Sequence, residues 1–545
     1  MPITKNPNHF WPEEALETLR LWANQGFRQS SSDTVRHQVV IPEANDPKID
    51  FRIRKDVFNL SAAEIQAYRE KLDDVLQVGK LNSKWQELGL LHAEWCLHYQ
   101  EAFTFWHRAY LKYVEELIGF PIPYWNGFAA ESSDPSSPYA GIPSIFLDET
   151  YLHSSGENRK NPLKYALSLN GENKSRTSQY VERYQELVDG RSNALWEKKV
   201  SMFALYHRQI ADALSQQDFS LPEGHGYPWA NVPDFSQDQP DDHYSQEARQ
   251  YFDGLFEQVH DNYHGWIGPD MVGYFLPEPS QDANDSTQAD NSYTAFDPIF
   301  LSYHANMDRI AEKYLRTGNS RRFSSNFPLR PFVNNASGLS YDEPREYCYT
   351  TLGDMAKPTE AMQYLYASPA VPDFLPINHT KQMSAAVPSG GTAMLLAPEK
   401  WMIRLKPAIT NNDSDNHRYC PRVVFFGVSC LQETYQIDVF VLGASSLDPD
   451  VARNEDYIGR VTRLGMGKGR GEVSGIRNPQ RCKKKPITRI LNARHVAERL
   501  RSQGGIQQVV TEVNTNRRLD ESEWRKLPGF EGQILWVRKD VDLFD

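Results

Sequence analysis

Six histidines fall in two groups along this chain, His92, His98 and His107 and then, far downstream, His260, His264 and His304, each set in aromatic sequence of helical character. A fold that uses them must bring two distant segments into one core. Two trios of nitrogen donors are the pattern of a pair of metal sites. A borderline-soft transition metal such as copper prefers neutral imidazole to carboxylate, and two ions with three nitrogens each keep open positions for a bridging ligand such as O2. The pattern makes the chain a candidate oxygen-activating enzyme.

Spacing constrains each trio differently. His260 and His264 are four apart, which places them about 40° apart around a helix and one turn along it, so both rings reach one ion. The intervening residues begin with Asp261 and Asn262 rather than the Glu of H-E-x-x-H, and a zinc metalloprotease is not supported. His98 and His107 are nine apart, about 180° round a helix, so they cannot share one face of a straight helix and His98 should precede it. The same argument puts His92 in irregular chain leading into the site. No histidine lies between His37 and His92, so His92 enters the trio by elimination. His9, His37, His153, His207, His225, His243, His379, His417 and His495 stand singly and read as surface or structural residues.

At 545 residues the chain is too long for one ordinary core. The pattern predicts an N-terminal extension (1–49), a helical core (50–384) and an all-β sandwich domain (385–545). Within the core, Ser61 with Glu64 three residues on reads as a helix cap after a short extended segment. The stretch Trp95 to Ile118 reads as a buried helix ending at Gly119. Further helices are expected over Phe252 to Trp266 and Asp297 to Tyr314. Residues 128–162 and 219–245, rich in Ser, Pro, Asp and Gly, read as long surface loops. Past Ala367 come short β-rich runs such as AMLLA, RVVFFGV, YQIDVFVL and QILWVR.

The net charge of −12 argues against wholesale nucleic-acid binding, and the basic residues between Arg453 and Arg489 read as a local cluster. GMGKGRG at 465–471 lacks GK[ST] and a following helix, so it reads as a basic surface loop rather than a phosphate loop. Five scattered cysteines without CxxC pairs indicate neither a disulfide framework nor a zinc ribbon. No apolar stretch has signal-peptide or membrane-span length, and the expectation is a cytoplasmic protein without a membrane partner.

The strings Cys96-Leu-His98 and FTFWHRAYL around His107 resemble the first copper site of the coupled binuclear, type 3, copper proteins: tyrosinases, catechol oxidases and haemocyanins. Glu257-x-x-His260-x-x-x-His264, Ile267-Gly268, Met271, Asp297-Pro298-Ile299-Phe300 and His304-Ala-Asn306-Met-Asp308-Arg309 are similar to the second. PYWN at Pro123 to Asn126 resembles the PYWDW that follows the first copper helix. Tyr364-Leu-Tyr366 resembles the tyrosine motif that closes the core on an N-terminal arginine, here Arg54. The likeness spans about residues 50–367, with a weaker one beyond. The sequence departs from the family at Tyr303, where a second histidine usually precedes the last ligand, and in a shortened interval between His92 and His98.

The resemblance implies an α core, a four-helix bundle holding a dicopper site, with a C-terminal all-β sandwich domain that commonly covers the site. It implies one copper on His92, His98 and His107, the other on His260, His264 and His304, with O2 as co-substrate. Cys96 matches a cysteine that some members join to the following histidine by a thioether; a small buried hydrophobe is the other reading. Glu257 matches a water-holding glutamate that assists deprotonation of a phenol. Asp261 stands where many monophenol-hydroxylating members have Asn, and could act as a stronger base or disrupt that water. Plain helix-surface charge is the other reading of both carboxylates. Asp308 and Arg309 read as braces of their helix, and Phe300 as a pocket wall or a core aromatic.

The implied activity is phenol oxidation, with hydroxylation of monophenols to o-diphenols and oxidation of those to o-quinones. The alternatives are a catechol or o-aminophenol oxidase without the first step, a haemocyanin-like O2 carrier, and a structural protein with another metal or none. The implied partner is a phenolic small molecule, and a homo-oligomer is compatible with the sequence.

Overall fold

In the computed structural model, which describes residues 52–80, 83–96, 98, 102–167, 180–214, 255–268, 274–275, 289–315, 328–333, 349–373, 419–429, 431, 434–465, 487–513 and 516–538, the first element is a short strand, β1 (Arg52–Arg54). The expected extension 1–49, the loop 219–245, the boundary at 384 to 385, the AMLLA run and most of GMGKGRG lie outside the described residues. So do His9, His37, His225, His243, His379 and His417.

Helix α1 (Ala62–Glu70) begins as the sequence indicates. Ser61 accepts from the Glu64 amide while the Glu64 carboxylate accepts from the Ser61 amide, so two of the amides left over at a helix start are paired reciprocally. The next helix, α2 (Lys84–Trp95), corrects two expectations. His92 lies inside it rather than in irregular chain, and the buried helix expected over Trp95 to Ile118 is two elements. Ser83 caps α2 by accepting from the Gln86 amide, and Leu88 and Glu87 are strong helix formers. At Cys96 the backbone turns to extended geometry, its amide still bonded to the His92 carbonyl. The break lies between His92 and His98, which is why one is helical and the other is not.

Helix α3 (Phe103–Ile118) ends where Gly119 adopts a left-handed φ of 60°, a conformation glycine reaches without a Cβ penalty. Helices α4 (Phe203–Leu214), α5 (Leu255–Ile267) and α6 (Ile299–Leu315) complete the part of the core that matters for the histidines. Asp297 starts α6, accepting from the Ile299 amide, with Pro298 in the first turn. Arg183 grips the same carboxylate at 2.9 and 2.6 Å. The chain beside Arg183 also seals the end of α5. At Gly268 a Cβ would stand 2.6 Å from the Arg183 Cα, an approach only glycine permits. On α2, Gly89 plays the same part, since a Cβ there would lie 2.5 Å from the Phe296 ring.

Residues 128–162 are not the expected surface loop. Phe128, Ala129, Ile142, Ile145 and Phe146 are buried, because the Asn161 amide staples the segment by donating to the carbonyls of Ile145 and Asp148. The polar composition hid the apolar anchors.

Strand β2 (Tyr364–Tyr366) pairs in parallel with β1, in the register Arg52 to Tyr364 and Arg54 to Tyr366. The Arg54 guanidinium lies 4.0 Å over the Tyr364 ring and donates to the Tyr366 hydroxyl at 2.6 Å. Beyond it come β3 (Tyr419–Val428), β4 (Tyr435–Val441), β5 (Tyr457–Arg463), β6 (Ile487–Asn492), β7 (Ile506–Glu512), β8 (Arg517–Leu519) and β9 (Gln533–Arg538). They form a four-stranded antiparallel sheet, β5-β4-β7-β8, and a three-stranded one, β6-β3-β9. Three of the β-rich runs in the sequence fall on β3, β4 and β9. Side chains alternate between faces. Val423, Phe425, Ile437, Val439 and Leu491 fill an apolar cluster of the sheets' own, whereas Val424, Phe440 and Ile490 join the helical core. Among the described residues, no helix is long and apolar enough to cross a membrane.

Candidate metal centre

Four helices deliver five of the six imidazoles: α2 gives His92, α3 His107, α5 His260 and His264, and α6 His304, while His98 comes from the break between α2 and α3. All six are buried. The His92 and His107 Nε2 atoms are 3.2 Å apart. In the second trio His260 Nε2 lies 2.7 Å from His264 Nε2 and 3.3 Å from His304 Nε2. Metal–nitrogen bonds of about 2.0–2.1 Å put the donors of a tetrahedral or trigonal site roughly 3.3–3.6 Å apart; the His92–His107 and His260–His304 separations match that spacing, and the His260–His264 pair is closer. The trios meet where the His107 and His304 rings stack at 4.3 Å.

The rings are prepared as ligands. Burial pulls the His107 imidazole down to about 3, against the opposing pull of its hydrogen bond to the Phe103 carbonyl. Burial, reinforced by the neighbouring imidazoles, likewise holds His260 and His304 well below the usual histidine range. Neutral rings keep a lone pair for a metal. The 2.8 Å contact between His107 Nδ1 and the Phe103 carbonyl requires the proton on Nδ1, leaving Nε2 as the donor atom. Donor sets of nitrogen, with no carboxylate among the three ligands of either trio, suit copper, zinc, iron or nickel and not magnesium or calcium.

The remaining site candidates fall into different places. Cys96 is buried, its sulfur within 4.8 Å of ring nitrogens of His92 and His98. Glu257 is fully buried on α5 with Oε1 3.7 Å from His98 Nδ1, between a ligand of the first trio and the helix that carries the second. Asp261 lies away from the Nε2 atoms of the second trio. Its Oδ1 lies 3.2 Å from His260 Nδ1, on the opposite edge of that ring from Nε2, and its Oδ2 accepts from Arg489 Nη2 at 2.7 Å. Asp261 is thus engaged on both oxygens, and neither Glu257 nor Asp261 is a helix-surface charge, since both are fully buried. Phe300 packs on His92 at 4.8 Å and His304 at 4.1 Å. Tyr303 stacks on His260 and donates to its backbone carbonyl at 3.1 Å, so of that pair it is His304 whose Nε2 meets the His260 Nε2.

Asp308 and Arg309 brace, as expected. Asp308 receives Arg54, Arg108, Tyr364 and Tyr366, while Arg309 binds Asn126 of PYWN and Asp373. His207 is structural: Nε2 bonds the Gly127 carbonyl at 2.9 Å. Arg489 escaped sequence reasoning, submerged in the basic cluster. Its one signal is its place among apolar residues in the strand Ile-Thr-Arg-Ile-Leu. A cleft of about 840 Å³ bordered by Arg183, Lys199, Asp450 and Arg460 opens elsewhere, and no histidine of either trio lines it.

A family model described as the common central domain of tyrosinase matches residues 79–317, the interval that holds all six imidazoles. This central segment belongs to the coupled binuclear, type 3, copper protein family. The chain is 23% identical over 302 residues to the latent, chloroplastic polyphenol oxidase of Prunus armeniaca, covering 53% of this chain and 41% of that one. It is 26% identical over 267 residues to unit D of the haemocyanin beta-C chain of Helix pomatia, covering 47% and 50%. The chain thus spans half or less of the length of these relatives. In fold it is similar to the tyrosinase of Burkholderia thailandensis, with a TM-score of 0.51 at 16% identity over 89% of this chain and all of that one. The family is a dicopper family, and among the described residues the groups His92, Cys96 and His98 and His260, His264 and His304 are each close enough to hold a metal ion.

Proposed function

We propose that this protein is a tyrosinase-like phenol oxidase that o-hydroxylates monophenols and oxidises o-diphenols to o-quinones, with O2 as co-substrate. In this reading the four ligand-bearing helices act as a bundle within residues 50–384, and the two C-terminal sheets act as a sandwich domain within 385–545. His92, His98 and His107 would hold one copper, and His260, His264 and His304 the other. When bound, copper supplies the electron transfers by which O2 is reduced and a phenol oxidised.

The observation that carries the enzymatic reading is Glu257. A monophenol has a pKa near 10 in water and must lose its proton to react at neutral pH. A buried carboxylate 3.7 Å from a ligand imidazole is placed to take that proton, directly or through one water. Asp261 is engaged by His260 and Arg489, so the task falls to Glu257 alone. The same engagement favours a second reading, a catechol or o-aminophenol oxidase, because Asp261 is then not available to orient a water on Glu257.

The test is to load the purified protein with copper and offer tyrosine, catechol and o-aminophenol separately. Quinone from tyrosine supports the proposal; product only from the other two supports the second reading; reversible O2 binding without turnover indicates a carrier. Glu257→Gln should lower tyrosine hydroxylation by about 10²–10⁴-fold, the usual worth of a general base, while catechol turnover stays within a few-fold. Equal loss on both substrates would remove Glu257 from the deprotonation step.

Cys96 belongs to the same reading. Its sulfur is close enough to His98 for a thioether to fix that ring, formed with loss of two hydrogens to an oxidant such as O2. A peptide spanning Cys96 to His98 from copper-loaded protein should then weigh two hydrogens less than its sequence predicts and resist thiol alkylation. A peptide of unaltered mass that alkylates fully would leave Cys96 as packing.

A further inference from the structure

Helix α5 carries ligands on one side and is strapped to the C-terminal sheets on the other. The Gln258 side chain donates to the Ile490 carbonyl at 2.8 Å and accepts from the Ile490 amide at 3.3 Å, as a strand neighbour would. Asn262 accepts from the Thr462 amide at 3.2 Å. At Gly265 a Cβ would run into the Gln436 side chain and lie 3.2 Å from the Thr462 hydroxyl, so the helix sits directly against β4 and β5. Between these straps runs the chain Arg489, Asp261, His260, all fully buried.

We propose that Arg489, from β6, is a positioning residue for the second metal site, acting through Asp261 on the ring of His260. The proposal rests on the dicopper reading. A carboxylate on His260 Nδ1 demands the proton there, which directs the Nε2 lone pair towards His264 and His304, fixes the ring plane and raises the basicity of the donor. Asp261 can hold that position as a carboxylate only because a guanidinium meets its other oxygen, since an unpaired buried charge is costly. The C-terminal sheets are therefore part of the scaffold of one metal site. In the first trio, His107 is oriented by the Phe103 carbonyl of its own helix.

The experiment uses the full copper-loaded chain and counts copper per polypeptide after equilibration with graded concentrations of a copper chelator, with folding followed by thermal unfolding. Arg489→Met should release one of two coppers at roughly 10- to 100-fold lower chelator concentration than the unaltered chain, the usual cost of losing such an outer partner, while the other ion is released as before. Arg489→Lys, which restores a charge without the planar fork, should fall between. If Arg489→Met does not fold, Asp261→Asn combined with Arg489→Met removes both buried charges and should show the same selective release. Unchanged release of both ions, or equal weakening of both, would overturn the proposal and leave the dicopper reading intact. Fewer than two coppers on the unaltered chain would overturn that reading and this inference with it.

Discussion

His264→Ala should leave one copper on each polypeptide and abolish phenol oxidation. His264 is a full turn after His260 on α5, with its Nε2 2.7 Å from that of its neighbour. Alanine is the best helix former, so α5 should persist and the loss should be local. Tyr303 cannot step in, because its hydroxyl is committed to the His260 carbonyl and its ring is stacked on His260. Removing a single stabilising donor from an active site typically costs about 10²–10³-fold, and removing an ion that shares the work should cost more. Metal analysis on the folded variant together with catechol turnover checks both halves of the expectation. Two coppers retained, or turnover near that of the unaltered chain, would sink the assignment of the second site.

What the sequence revealed follows the range of the interactions involved. The capping box at Ser61, the left-handed end at Gly119 and the i, i+4 pair on α5 are local, and the residues within one turn encode them. The Arg54 and Tyr366 contact spans 312 positions and was still legible, because the tyrosine motif resembles one in a known family. The helix around His92 is hidden in the sequence for a different reason. Nine residues of spacing separate His98 from His107 on a helix but carry no information on the residues before a break, where Ser83, with Gln86 three residues on, caps a separate helix. The role of Asp261 was beyond local reading altogether. Its partner is 228 positions away on a strand whose register against α5 no periodicity encodes. A basic residue among apolar neighbours is the signature such a partner leaves, and Arg460, Arg463 and Arg489 are all buried.

Asp308→Asn should destabilise the fold by about 3–5 kcal/mol, the range measured when one partner of a buried ion pair is removed. Both oxygens of Asp308 are fully used. One receives Arg54 at 3.0 Å and the hydroxyls of Tyr364 and Tyr366 at 2.8 and 2.6 Å; the other receives Arg108. A carboxamide offers one oxygen where four donors converge on two, and its NH2 would face a donor in either orientation. Glu115 on Arg54 and Glu312 on Arg108 limit the damage to those guanidiniums without replacing the hub. Because Asp308 ties α6 to α3, β1 and β2, the cost should appear in global unfolding by denaturant. Its pH dependence has a definite sign. Burial pushes the Asp308 carboxyl up, but Arg108 and Arg54 overcome that and hold it below the ordinary aspartate value. A carboxylate lowered in the folded state contributes stability that is complete above its unfolded value, about 3.9, and is lost only as pH falls through the lower folded one. The gap between the unaltered chain and Asp308→Asn should therefore be constant from pH 5 to about 8 and narrow only below about pH 4. A variant that unfolds within about 1 kcal/mol of the unaltered chain at pH 7 would mean that the clustered arginines are held by Glu115 and Glu312 alone.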